Sequence, residues 1–178
     1  MAKAKGRDRV KELESGKIIG DSTFFRIAND LLHNEAKRLC DFTDALDKDP
    51  LQKKQKIAEY KCAKYRYAAV ERVHMLLFHG NRVYRLSDRH KDVDIENSLA
   101  QREESLLQVE NAPQNEKIDF KLYYGITGIV GELLTGLEER LSNANDWEKI
   151  ELEERIGGLE FAKECLNEAW QRRKDVIS

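Results

Sequence analysis

The sequence predicts an all-α protein, an antiparallel bundle of four or five helices preceded by a flexible basic N-terminal arm. Apolar residues recur at steps of three and four along most of the chain, which is the period of a helix. Only two prolines interrupt it, and 36% of the residues are charged, a composition typical of long helices with one solvated face. No convincing stretch shows the period-two alternation of a strand. Short loops should place consecutive helices side by side.

The first predicted helix begins at an N-cap in Asp21-Ser22 and ends before Pro50, which suits the first turn of the next helix. The second predicted helix runs from Pro50 to about Phe78, with Gly80-Asn81 as its stop signal, although apolar residues beyond that pair could extend it. The apolar stripes of these two helices are Phe24, Ala28, Leu31, Leu39, Phe42 and Leu46, and Tyr60, Ala63, Tyr67, Val70, His74 and Leu77.

Three further helices are predicted after a polar loop over 87–94. They cover about 95–109, about 116–141, and the segment from Asn145 to the C-terminus, where Asn145 and Glu148 have the spacing of a capping box. Residues 1–20 hold six lysines and arginines without helical periodicity and are predicted to be the arm. Residues 21–178 are predicted to form one domain, which is long enough for a hydrophobic core of its own.

Several classes of protein are disfavoured. No apolar run approaches the length of a membrane span, and no apolar segment follows the basic N-terminus as in a signal peptide. Cys40, Cys62 and Cys165 are odd in number and lack the spacing of a metal or redox motif. We therefore expect a cytoplasmic protein with no membrane partner.

The charge distribution is strongly asymmetric. Residues 51–91 contain eleven lysines and arginines against three acidic residues, a net charge of +8. Residues 92–170 contain seven basic and nineteen acidic residues, a net charge of −12. The overall charge of −2 conceals this division.

One interpretation of the basic segment is that it binds nucleic acid without reading sequence. Lysines and arginines neutralise phosphates, and interleaved tyrosines can stack on bases. Tyr65 lies off the predicted apolar stripe and is the better stacking candidate, whereas Tyr60 and Tyr67 lie on it. The predicted binding residues are Lys53, Lys54, Lys56, Lys61, Lys64, Tyr65, Arg66 and Arg72.

The competing interpretation is that the basic helix faces the acidic helices, within the chain or across a dimer. Exposed ion pairs of this kind add little stability but can set register. The leading hypothesis is therefore a non-enzymatic helical subunit that binds nucleic-acid backbone within a larger assembly. The second hypothesis is an interaction or regulatory subunit that binds a protein partner or self-associates through its charge-split helices.

Glycines recur along the fourth predicted helix. Gly125, Gly128 and Gly131 lie at helical spacing, and each interior glycine costs about 1 kcal/mol relative to alanine. We expect close helix packing along this row, and a partner subunit or a ligand backbone is the alternative.

Two short patterns bear on catalysis. Glu71 and His74 form an E-x-x-H pair, which in carboxylate-bridged di-metal bundles supplies two ligands to one ion. The second copy that such a site needs is absent, so a histidine bonded to a neighbouring carboxylate is favoured. The segment from Arg85 to His90 resembles the arginine and histidine motif of HEPN-type ribonucleases, and that resemblance implies action on an RNA phosphate across a dimer. Leu86 stands where that family usually has a polar residue.

The segments Gly128-Ile-Val-Gly131-Glu132 and 152–158 together resemble the all-helical nucleotide pyrophosphohydrolases of the MazG type. That resemblance implies magnesium held by carboxylates on facing helices. Thr135, Arg155 and Gly158 stand where the family has acidic ligands. A metal-dependent hydrolase of a nucleotide or of RNA is thus the third hypothesis, and the sequence predicts no catalytic residue, metal ligand or cofactor.

Overall fold

The computed structural model of the chain describes residues 22–85 and 114–177. Within these ranges 94% of the residues are helical and no strand occurs, so the all-α prediction is confirmed. The five helices are α1 (Thr23–Asp47), α2 (Pro50–Gln55), α3 (Ile57–Arg85), α4 (Gln114–Ser142) and α5 (Asp146–Ile177). The predicted basic arm over 1–20, the predicted loop over 87–94 and the predicted helix over 95–109 lie outside the described residues.

The helix starts follow the predicted caps. The Ser22 hydroxyl accepts a hydrogen bond from the backbone N–H of Phe25 at 2.9 Å and begins α1. The Asn145 side chain accepts from the backbone N–H of Glu148 at 3.0 Å and begins α5. Both caps satisfy a backbone donor that the first helical turn leaves unpaired.

The second predicted helix begins at Pro50 as expected but differs from the structure in its interior and at its C-terminal end. Lys56, with φ −110° and ψ 29°, separates α2 from α3. Since α2 buries no side chain, no core contact holds it in line with α3. At the other end the helix continues through Gly80 and Asn81 to Arg85, so the predicted stop is wrong. Both residues are buried, and they continue the inward pattern of Val73 and Leu77. Packing therefore outweighs their weak helical propensity.

Consecutive long helices run antiparallel around one core. Near the start of α1, the Phe24 ring lies 5.6 Å from Tyr123 near the start of α4 and 6.0 Å from Trp170 near the end of α5. At the other end of the bundle, Arg66 of α3 faces Glu154 near the start of α5. One buried apolar cluster joins α1, α3, α4 and α5.

A buried ion pair closes the end of the bundle near Phe24. Asp119 and Arg173 form a salt bridge with side chains only 5% and 6% exposed. The other carboxylate oxygen of Asp119 accepts a hydrogen bond from the backbone N–H of Phe24 at 3.3 Å. The Arg173 guanidinium lies 4.7 Å from the ring of Trp170. Asp119 thus joins α1, α4 and α5.

The closest described glycine contact lies on α5 rather than on the predicted glycine row. A Cβ on Gly158 would stand 2.8 Å from the Cβ of Ala69 and 2.9 Å from the carbonyl oxygen of Arg66, so α3 and α5 touch here at backbone distance. At Gly131 a Cβ would meet no described heavy atom within 4 Å, so none of the described helices packs closely against it. Gly125 is buried and Gly128 is half-buried, and close packing at these two remains a prediction.

Candidate nucleic-acid interface

The exposed side of α3 carries a line of basic residues. Lys61, Lys64, Ala68 and Arg72 are exposed and follow one another at steps of three and four residues. This spacing puts them on one stripe of the helix. Lys54 in α2 and Lys56 at the break between α2 and α3 are also exposed. We call Lys54, Lys56, Lys61, Lys64 and Arg72 the basic face.

The cations of the basic face form no ion pair within 4 Å in the described part of the chain, although the charge of Lys64 contributes to lowering the pKa of Asp47. None of its five cations lies within 4 Å of a carboxylate of residues 22–85 or 114–177. The Lys64 ammonium lies 5.4 Å from the centre of the Tyr60 ring. Five exposed cations without an ion pair among the described residues create a local positive potential, which attracts anions.

Two other predicted binding residues make contacts within the chain. The Lys53 ammonium donates to Asp47 at 2.7 Å and lies 4.3 Å from the Tyr60 ring centre. The hydrogen bond to Asp47 raises the pKa of Lys53, and the same bond lowers the pKa of Asp47. Arg66 is half-buried and faces Glu154 at 3.9 Å. Arg66 therefore faces an acidic helix, as the competing interpretation expects. Lys53 instead pairs with a residue of α1 that is close in sequence.

Tyr65, the predicted stacking residue, is half-buried between α3 and α5. The Arg155 guanidinium lies 5.6 Å from the centre of its ring, a cation–π distance. Tyr60 donates its hydroxyl to Asp47 at 2.9 Å, and Tyr67 packs against the core. The structure therefore exposes Lys61, Lys64 and Arg72 along one side of α3 but turns these three tyrosines toward the protein.

A groove of about 430 Å³ lies beside the basic face, between α3, α4 and α5. Leucines and alanines form much of its lining, and three arginines and two glutamates add charge. Arg72 belongs both to this groove and to the basic face. The full lining is Ala68, Ala69, Arg72, Glu132, Leu133, Gly136, Leu137, Arg140, Glu151, Arg155 and Leu159.

The arginines of the groove differ in their contacts. Arg155 donates to Glu151 through Nε at 3.0 Å, and a second guanidinium nitrogen lies 2.9 Å from the same carboxylate. Arg72 and Arg140 are exposed and lie beyond 4 Å from every described carboxylate. Glu132 on α4 is likewise exposed. The groove thus offers two unneutralised guanidinium groups and a carboxylate acceptor around an apolar surface.

Sequence reasoning missed this groove. Glu132, Gly136 and Arg140 recur at steps of four along α4, and this spacing was the available signal that they share a helix face. Nothing in the spacing indicates that this face lies opposite Arg72 and Arg155.

Glu71 and His74 form the contact favoured for them. The Nδ1 atom of His74 lies 3.3 Å from a Glu71 carboxylate oxygen, and its Nε2 lies 2.8 Å from the Asn29 side-chain oxygen. Both ring nitrogens are therefore engaged inside the chain. Across residues 22–85 and 114–177, no group of three or more histidines, cysteines, aspartates or glutamates is placed to hold a metal ion.

The residues behind the two enzyme resemblances are described only in part. The segment from Leu86 to His90 lies outside the described residues. Of the residues in the second resemblance, Glu132 and Arg155 line the groove, whereas Gly158 is packed against Ala69. The backbone contact at Gly158 leaves no space for the acidic side chain that the MazG-type pattern has there.

The three cysteines carry free thiols. Cys165 is buried, and burial raises the pKa of its thiol to about 11. Burial also raises the pKa of Cys40 and of Cys62. Because the thiolate is the reactive form, these thiols are poor nucleophiles near neutral pH.

Four apolar side chains are exposed at the end of the bundle that holds α2 and the loop between α4 and α5. Trp147 is 91% exposed and Ile150 is 56% exposed near the start of α5. Leu51 in α2 is 69% exposed and Ile57 at the start of α3 is 43% exposed. We call these four residues the apolar end.

None of the helices in the described ranges is both long enough and apolar enough to cross a membrane. Comparison with protein-family models, with curated proteins and with solved structures gives no match to the chain.

Proposed function

We propose that the chain binds the phosphate backbone of nucleic acid through the basic face, as a non-enzymatic helical subunit of a larger assembly. The observation that carries the proposal is that no carboxylate among the described residues lies within 4 Å of a cation of the basic face, although the chain is rich in carboxylates. Backbone contacts carry no sequence information, so binding is expected to depend little on sequence.

Three of the predicted binding residues contact other side chains of the chain and do not belong to the proposed binding set. Lys53 is paired with Asp47, Arg66 faces Glu154, and Tyr65 has Arg155 close to its ring. Binding therefore rests on charge at the basic face rather than on stacking by Tyr65.

The salt dependence of binding tests this proposal. Each neutralised phosphate of a duplex contributes about −0.9 to the slope of log K against log salt, so five cations predict a slope of about −4.5. Raising the salt from about 50 to about 200 mM should weaken binding by several hundredfold. Fluorescence anisotropy with a labelled random-sequence duplex measures this slope. A slope near zero, or no binding at low salt, would contradict the proposal.

A second candidate function is self-association, which the apolar end favours. Leu51 and Ile57 are accompanied by lysines, whereas Trp147 and Ile150 are accompanied by acidic residues of α5. Both pairs lie at the same end of the bundle. A two-fold axis there would place the basic edge of each copy against the acidic edge of the other, as an isologous interface requires.

Trp147 tests the second candidate because tryptophan is enriched among residues that dominate interface energies. We expect the wild-type mass in sedimentation equilibrium to rise with concentration and Trp147→Gln to remain a monomer. Met75→Gln is the matched control, since Met75 is exposed on the side of α3 rather than at the apolar end. Equal masses for wild type and Trp147→Gln at every concentration would remove this candidate.

A further inference from the structure

We infer that the groove between α3, α4 and α5 accepts an unpaired base of single-stranded nucleic acid. This inference rests on the proposed function, which requires only that the partner carry phosphates. It adds that the preferred nucleic acid is single-stranded. The basic face alone would bind single and double strands by the same phosphate contacts. A groove that receives a base distinguishes them, because the bases of a duplex are stacked and paired.

The size and lining of the groove suit a planar, partly apolar ligand. Its volume of about 430 Å³ falls within the range of about 300–1,000 Å³ typical of small-molecule sites. Leu133 and Leu137 on α4 and Leu159 on α5 supply apolar surface for the face of a base. Gly136 lies among them, and a Cβ there would meet no described atom within 4 Å, so the groove remains open at this position.

The polar groups of the groove match the phosphate and the amino groups of a nucleotide. Arg72 and Arg140 are exposed guanidinium groups without a described carboxylate partner, and guanidinium matches the geometry of phosphate oxygens. Glu132 is an acceptor for the exocyclic amino groups that adenine, cytosine and guanine carry. A purely anionic ligand would gain nothing from the leucines, and Glu132 would repel it.

The groove is continuous with the basic face through Arg72. A backbone bound along Lys61 and Lys64 therefore reaches Arg72 at the groove. From there one base can turn into the groove while the neighbouring phosphates stay on the exposed lysines. The two surfaces then act on one strand, and the groove adds affinity that a duplex does not gain.

The experiment compares a labelled twelve-nucleotide oligo(dA) with a twelve-base-pair duplex by fluorescence anisotropy at one salt concentration. We expect the wild type to bind the single strand about tenfold or more tightly than the duplex, as one well-placed base implies. Gly136→Leu fills the groove and should remove this preference while leaving duplex affinity unchanged. Gly131→Leu is the matched control, because Gly131 is equally open, lies on the same helix and does not line the groove.

Gly136→Ala provides a smaller change if the leucine variant fails to fold, and it should reduce the preference in part. Equal binding of both probes by the wild type, or an unchanged preference in both Gly136 variants, would overturn the groove inference and leave the proposed function standing. No binding of either probe would overturn both. An acidic peptide is the competing occupant. If oligo-glutamate displaced oligo(dA) as well as unlabelled oligo(dA) of equal charge does, the groove would not be a base site.

Discussion

Replacing Asp119 by alanine is expected to lower the free energy of unfolding by about 3–5 kcal/mol, the usual consequence of removing one partner of a buried ion pair. Arg173 would keep its charge in a site where its side chain is only 6% exposed. The backbone N–H of Phe24 would also lose its acceptor at the start of α1. Urea denaturation followed by circular dichroism measures the change.

An exposed ion pair supplies the control for Asp119. Asp41 and Lys37 pair at 2.8 Å with side chains more than 60% exposed, so Asp41→Ala should change stability by at most about 0.5 kcal/mol. Replacing both buried partners, as in Asp119→Leu with Arg173→Met, should cost less than the sum of the two single changes. Similar small losses for Asp119→Ala and Asp41→Ala would show that the buried pair does not hold α1, α4 and α5 together.

Reversing three lysines of the basic face is expected to remove most nucleic-acid binding. With Lys54, Lys61 and Lys64 changed to glutamate, three counterions are no longer released. At about −0.9 per contact, affinity should fall about 3 × 10³-fold at 50 mM salt and about 10²-fold at 200 mM salt. The slope of log K against log salt should become shallower by about 2.7. The helical circular dichroism signal should be unchanged, since all three residues are exposed.

The control is a second triple variant that reverses three positive charges outside the basic face. Arg26, Lys163 and Lys174 are exposed on α1 and α5, and their reversal to glutamate should leave most of the binding intact. Equal losses in the two triple variants would mean that net charge, rather than the basic face, determines binding. If the reversal at the basic face instead changed the mass of the protein without nucleic acid, self-association would become the leading function.

The sequence predicted the helices well where a helix depends only on residues within one turn of each other. Ser22 and Asn145 cap their helices because a side-chain oxygen needs only a backbone N–H two or three residues away. The helix predicted over about 116–141 is observed as Gln114–Ser142, since apolar residues recur along it at helical spacing. Such features depend on neighbours within one turn, which the sequence displays directly.

The prediction errors arise where contacts between residues far apart in sequence determine the structure. Gly80 and Asn81 remain helical because packing buries them, against their local tendency to end a helix. The close contact of α3 and α5 lies at Gly158, and the sequence does not say which of ten glycines meets another helix. Asp119 and Arg173 are 54 residues apart, so no periodicity indicates their pairing.

The candidate site was predicted only in part, because long-range packing also determines which of its residues are exposed. Charge counting located the basic segment, because net charge is a property of composition. The rotation of α3 about its axis decides which cations reach solvent, and this rotation follows from packing against α1 and α5. It exposes Lys61 and Lys64 and turns Arg66 and Tyr65 toward α5.

The length of the basic stripe on α3 limits the footprint of one molecule on a polymer. Lys61 and Arg72 are eleven residues apart, about 16 Å at a rise of 1.5 Å per residue. That distance corresponds to about five nucleotide steps of a duplex strand at 3.4 Å each. One copy would therefore occupy only a few nucleotides, and a long strand would have room for many copies in a row. Stoichiometry would grow with the length of the polymer, as expected for a protein that coats a strand rather than one that marks a single position.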